Sequence, residues 1–317
     1  MASGWFLPFA VALSCFFGLL RGSPGDADSV YQLMRCGYDV CLPEPLYIQW
    51  KQWDCLSDCR YHCMLSREEE RQKLGQRPEK YHGKWPIERM YGIQEPVSVA
   101  LSALNLAVQF HGWVSFFILV NYKLPFTPKK KTYYDYTGLW HVYAIFAMNY
   151  WFWTAVFLSR DVELTEKLHY SSAVALQGYS LFLALIRAFG VRLEAIRVMI
   201  AAPVFGILTT HILFMNFYEF DYGWNARVCA VISALQIAIW AVWAAQARHP
   251  QRWKLWVVVF GGAIAMVVTL YDFPPWWGVL DAGALWHATM IPLSYLWWSF
   301  VKDDSVWMTS LAINKNK

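Results

Sequence analysis

Two groups of side chains in this sequence have types and spacings suited to chemistry. In the first, Cys55, Cys59 and Cys63 recur at every fourth position with His62 beside them. On a helix that spacing sets three thiols on one face, which suits either metal ligation or disulfide bonding. Cys36 and Cys41 lie just upstream, whereas Cys229 sits in an apolar run. Thiols gathered in one polar segment behind an export signal favour disulfides over a metal centre, although five is an odd number and the pairing stays open. In the second group, polar side chains interrupt long apolar stretches: Asn105, Gln109, His111, His141, Asn149, Thr154, Gln177, His211, Asn216, Gln236 and His287. Such groups are costly in hydrocarbon and turn toward a bundle interior or a cavity. Each alone reads as an interhelical hydrogen bond, and only a cluster at one depth makes a site. No phosphate loop or nucleophile elbow is present in the sequence.

The elements that must position these residues follow from composition. The chain of 317 residues is 57% hydrophobic and only 16% charged, against about 25% charge in a soluble domain. A bilayer is therefore its solvent, and a nucleic-acid partner is not suggested. Residues 1–22 read as a signal peptide, with an apolar run from Trp5 to Leu20 ahead of Arg21. Residues 23–96 are polar, hold the cysteines and form an expected lumenal domain. Seven apolar stretches follow at 97–121, 137–158, 170–189, 196–218, 226–246, 254–272 and 283–301, each near the length of a membrane span. The fold class expected is an all-α membrane protein with seven transmembrane helices, a small cysteine-containing lumenal amino-terminal domain and a cytosolic tail over 302–317. Loop charge supports the orientation. Lys123 and Lys129 to Lys131, then Arg187, Arg192 and Arg197, then Arg248, Arg252 and Lys254 mark alternate loops as cytosolic, while Asp161, Glu163, Glu219, Asp221, Asp272 and Asp281 mark the others as lumenal.

Several strings are too specific to be products of composition: QWKQWDCLSDCRYHCM at 49–64, YHGKWP at 81–86, GIQEP at 92–96, SRDVELTEKL at 159–168, YDFPP at 271–275 and WHATMIPLSYLWWSF at 286–300. Together they resemble the Per-like family of GPI-anchor lipid remodelling proteins, in a plant-like form, within a superfamily of seven-span hydrolases. The resemblance implies residence in the Golgi or endoplasmic reticulum membrane, GPI-anchored proteins and GPI lipid as partners, and removal of the sn-2 acyl chain of that lipid. It also implies zinc, held by three histidines with a serine and an aspartate beside them, as the centre of ester hydrolysis.

Carried over residue by residue, that site is mostly missing. The family's Ser-x-x-x-His falls on Thr154 and Leu158, its aspartate eleven residues later on His169, and its Asp-Ala-His-x-x-x-His on Asp281, Gly283 and His287. His287 alone is retained as a metal-ligand position, and Leu158 and Gly283 occupy the other two. Thr154 and His169 are the substituted catalytic positions. Asp161 and Asp281 are nearby acids whose placement at loop ends reads as solvated. The expectation is a remodelling protein whose zinc is not bound and whose activity is lost or impaired, with a non-catalytic binding or escort protein for GPI-anchored cargo as the alternative.

Overall fold

The computed structural model describes residues 55–81, 84–126 and 132–315, and every structural statement below concerns these residues. The expected signal peptide, Cys36, Cys41 and Lys129 to Lys131 lie outside them. The described chain is helical: α1 Cys55–Lys73, α2 Pro96–Ile118, α3 Thr137–Ser159, α4 Glu163–Ala188, α5 Glu194–Phe217, α6 Tyr222–Gln246, α7 Arg252–Tyr271 and α8 Ala282–Lys315. α2 opens on Pro96, which needs no amide partner in the first turn, and runs into a short π-helical turn at Leu119–Lys123.

Six helices are long and apolar enough to cross a membrane: Pro96–Lys123, Thr137–Ser159, Glu163–Ala188, Glu194–Phe217, Tyr222–Gln246 and Arg252–Thr269. The stretch expected as a seventh span, 283–301, forms the first half of α8, which packs against α2 and α7. Its apolar character is diluted by Trp286, His287, Ser294, Tyr295, Trp297 and Trp298. α8 does not end there. Residues 302–315, expected as a tail, continue the helix, and Asp304, Ser305 and Thr309 on it are buried.

The helices pack with polarity turned inward. On α2 the buried residues are Ser98, Ser102, Asn105, Gln109, Gly112 and Phe116, a single helical stripe, while Leu104, Phe110 and Phe117 are exposed. Inside the bundle these groups find partners. Asn105 Nδ2 donates to the His287 carbonyl at 2.7 Å, and Gln109 receives the Trp298 Nε1 proton at 2.7 Å while donating to Ser294 Oγ at 3.0 Å. Farther round the bundle, Trp113 Nε1 donates to His141 Nδ1, His211 bonds Asn225, and Asn216 bonds Ser171. His111 and Asn149 instead sit on exposed faces.

The two ends of the bundle differ. At one end α1 and residues 80–81 and 84–95 lie over the α3–α4 and α7–α8 connections. Lys84 Nζ pairs with Asp161 at 2.6 Å, Trp85 Nε1 donates to Asp272 at 3.0 Å, and Lys80 also pairs with Asp272. On α1, Cys55 and Cys63 are disulfide-bonded, which removes both from the metal-site reading. Two turns apart, about 12 Å, they are not bonded to each other. At the far end a buried ion network closes the bundle. Arg187 of α4 forks onto Asp304 of α8, Tyr134 donates to Asp304 Oδ2 at 2.7 Å, and Trp140 Nε1 donates to the Tyr134 hydroxyl at 2.9 Å.

Candidate functional site

A cleft of about 1580 Å³ runs from the α1 end into the bundle between α3, α4, α6, α7 and α8, and Thr154, Leu158, His169, Gly283 and His287 all line it. Helix geometry sets the histidines and Thr154 at one level. Thr154 lies five residues from the end of α3, His169 six residues into α4 and His287 five residues into α8. At 1.5 Å per residue each is about 8–9 Å below the α1 end. The five positions, far apart in the chain, thus converge on one place.

The contacts at that place are specific. Thr154 Oγ1 lies 2.8 Å from the Tyr150 carbonyl and 3.1 Å from His169 Nδ1. A hydroxyl has one proton to give, so only one of these contacts can use it. With the imidazole donating from Nδ1 and Thr154 donating to Tyr150, both are satisfied and the hydroxyl is fixed rather than activated. The His169 ring stacks on Phe157 at 4.9 Å and 9° and on Tyr150 at 5.8 Å and 28°. The indole of Trp151 meets the ring of His287 edge-on at 5.6 Å, and His287 Nδ1 is buried with no hydrogen-bond partner among the described residues.

Leu158 and Gly283 bring no donor atom. A catalytic zinc site takes three protein ligands and leaves one position for water. His287 and His169 are two imidazoles, one of them already engaged by Thr154, and among the described residues no group of three His, Cys, Asp or Glu side chains is placed to hold a metal. The donors present do not fit the centre that the resemblance implies.

Charged groups ring the mouth of the cleft. Lys84 Nζ sits 3.9 Å over the Phe157 ring, on the ring that stacks with His169. Asp161 is held by Lys84, and Asp281 caps α8 by accepting from the Ala284 amide at 2.8 Å, so neither acid is simply solvated. Burial pushes the Asp281 carboxyl above its usual range. Glu95 was not singled out by its sequence position. Its amide donates to the Leu158 carbonyl at 3.1 Å and its side chain lines the cleft. Burial pushes its carboxyl up to about 7, with Asp281 and Asp161 adding to the rise and Lys84 opposing it. Nothing in the string GIQEP distinguishes this acid from any residue that precedes a helix-opening proline.

Residues 45–305 match the Per1-like family, a range that takes in α1, the cleft and Asp304. The chain belongs to that family. Its relatives include the GPI-specific phospholipase A2-like PGAP3 of Mus musculus, 33% identical with 93% of each chain covered. The protein of the same name in Homo sapiens is 32% identical over 97% of each chain. A Protein PER1 homolog from Schizosaccharomyces pombe is 30% identical, covering 90% of this chain and 88% of its own. No solved structure matches the chain. The match to these relatives runs over nearly the whole of each chain.

Proposed function

We propose that this chain binds the lipid of GPI-anchored proteins in secretory-pathway membranes, as a GPI-anchor remodelling protein whose metal-dependent deacylation is lost or impaired. The observation that carries the reading is the convergence of Thr154, Leu158, His169, Gly283 and His287 on one cleft with only two imidazoles among them. The cleft suits an amphiphile. Its mouth is charged, through Lys84, Arg227, Asp161 and Asp281, and its depth is lined by Val259, Leu293 and Trp297. The names of the relatives point the same way, since several are called GPI-specific phospholipase A2-like.

In this reading 283–301 is the seventh crossing, the α1 end faces the lumen of the Golgi or endoplasmic reticulum, and the disulfides on Cys55 and Cys63 belong to that oxidising side. The loop charges and the thiol chemistry support it. Zinc is not a resident of the site, because Leu158 and Gly283 offer no ligand. A purified sample assayed for metal content and for acyl release from GPI lipid tests the proposal. Stoichiometric zinc, or fatty acid released at the rate of an active relative, overturns the impairment. The intact cleft also favours a second reading, an escort that holds GPI-anchored cargo without hydrolysing it. Photo-crosslinking in membranes is expected to recover GPI-anchored proteins with both acyl chains in place, and recovery of none above background defeats that reading.

A further inference from the structure

Below the level of Thr154 and His287, the cleft is walled by regular stripes. Ile237 and Trp240 of α6, Leu255 and Val259 of α7, and Leu293 and Trp297 of α8 line it, each pair three or four residues apart and so on one helix face. The distance from the site to the bottom is set by helix rise. Thr154 to Tyr143 on α3 is eleven residues and His287 to Trp297 on α8 is ten, or about 16 and 15 Å. One leaflet of a bilayer, half of a hydrocarbon core of about 30 Å, has that same depth.

The bottom is closed by aromatic rings. Trp240 meets Trp297 at 5.2 Å and 82°, and Trp297 meets Tyr143 at 6.4 Å. Behind them Trp140 and Phe300 pack on Trp297 at 5.7 and 6.0 Å. Underneath lies the Arg187–Asp304–Tyr134 network, with Asp304 only 1% exposed.

We propose that the Trp240–Trp297 floor is a stop that sets the length of the acyl chain this protein accepts, the ligand being a long-chain acyl group with its carboxyl end at the level of Thr154 and its methyl end on the indoles. The inference rests on the reading of the cleft as a lipid site and adds its chain-length selectivity. Rings backed by a second layer of rings and then by a buried ion network resist displacement, so a chain longer than the cleft leaves methylenes outside. A chain that is too short leaves apolar wall uncovered.

Gly262 supplies an independent handle. It lines the cleft, and a Cβ built on it meets nothing within 4 Å. It stands seven residues from Leu255, about 10 Å above the floor. Leucine there projects into empty space, favours the helix over glycine and blocks the lower part of the cleft without touching the floor.

The test is displacement of a fluorescent fatty acid from the purified full chain by two series of graded length, saturated fatty acids from octanoic to docosanoic and lysophosphatidylinositols over the same range. Wild-type affinity is expected to rise about fourfold per methylene, equivalent to about 0.8 kcal/mol, up to a break and then to level off. Trp240→Ala moves the break to longer chains, and Gly262→Leu moves it to shorter ones. A break in either series that moves with the variants carries the proposal, and the series that shows it identifies free acid or lysolipid as the ligand. A break at one length in wild type and variants alike, a rise with no break, or no binding in either series overturns it. Should Trp240→Ala fail to fold, Gly262→Leu decides alone. Neither series contains a GPI glycan, so failure of GPI recognition leaves this readout intact.

Discussion

The side chains at the site explain both what is retained and what is gone. Thr154 and His169 satisfy each other across α3 and α4, and the stack of His169 between Phe157 and Tyr150 holds the imidazole in place. Rebuilding the implied set is therefore a direct experiment. Gly283 has room for a Cβ, since the nearest atoms it would meet are those of the Asp281 carboxyl, at 3.4 Å or more. The combined variant Thr154→Ser, Leu158→His, His169→Asp and Gly283→His is expected to bind one zinc per chain and release fatty acid from GPI lipid, whereas each change alone does neither. Metal analysis of the four-site variant that finds no zinc would sink this expectation. Glu95 gives a second prediction. Its carboxyl is raised from 4.5 to about 7 in the folded chain, so the protonated form favours folding. That stability is fully present below about pH 4.5 and is lost as pH rises toward 7. Thermal melts of wild type should fall across this window, and Glu95→Gln should flatten the slope. A slope unchanged by the substitution removes Glu95 as its source. The positions of Thr154 and His287 were legible through resemblance. Glu95 was not, because its role depends on a hydrogen bond to the Leu158 carbonyl and on the nearby charge of Asp281, which no local pattern carries.

At the scale of elements, apolar run lengths located α2, α3 and α5 to α7 to within a few residues, because the bilayer imposes a length that composition records, but α4 begins seven residues ahead of its apolar run and α8 continues fourteen residues past its own. What they did not reveal is how closely the helices approach. Gly112 of α2 faces Trp298 of α8, and an added Cβ would stand 2.3 Å from the indole. Gly178 of α4 stands in the same relation to Leu208 of α5, at 1.9 Å. The indole is a rigid ring buried between helices, so α2 and α8 must separate to admit a methyl group. Gly112→Ala is expected to destabilise the folded chain by about 1–3 kcal/mol, the usual range for overpacking. Gly262→Ala, with open space around it, should be neutral or slightly stabilising. Melting temperatures in one detergent compare the two, and equal shifts would refute the close-approach account. The polar stripe of α2 was likewise visible only residue by residue: Asn105 and Gln109 stood out, while Ser98 and Ser102 became interior groups only once the helix face was known.

For the molecule as a whole, the far-end network ties α4 to α8 through a buried ion pair. Arg187 read in sequence as one of the basic residues that orient a loop, yet it is buried on Asp304, a residue assigned to a tail. Charge counting cannot separate a basic residue that faces headgroups from one that is paired inside, since the distinction lies in a contact 117 residues away. Removing Asp304 leaves the guanidinium buried without its partner. Asp304→Ala is expected to cost about 3–5 kcal/mol, the usual result of breaking a buried pair. The double variant Arg187→Met with Asp304→Leu should recover much of the loss. Unfolding in graded denaturant measures both, and a single variant as stable as wild type would show that the network does not anchor the bundle.

The same closed floor limits how the protein can exchange what it holds. A cleft shut at one end is no passage from one membrane face to the other, so a lipid chain that enters must back out along the route it took. Entry and departure then compete for one doorway, and a new guest waits for the old one to leave. Under the proposed loss of cutting, that turnstile makes residence time the quantity the protein controls.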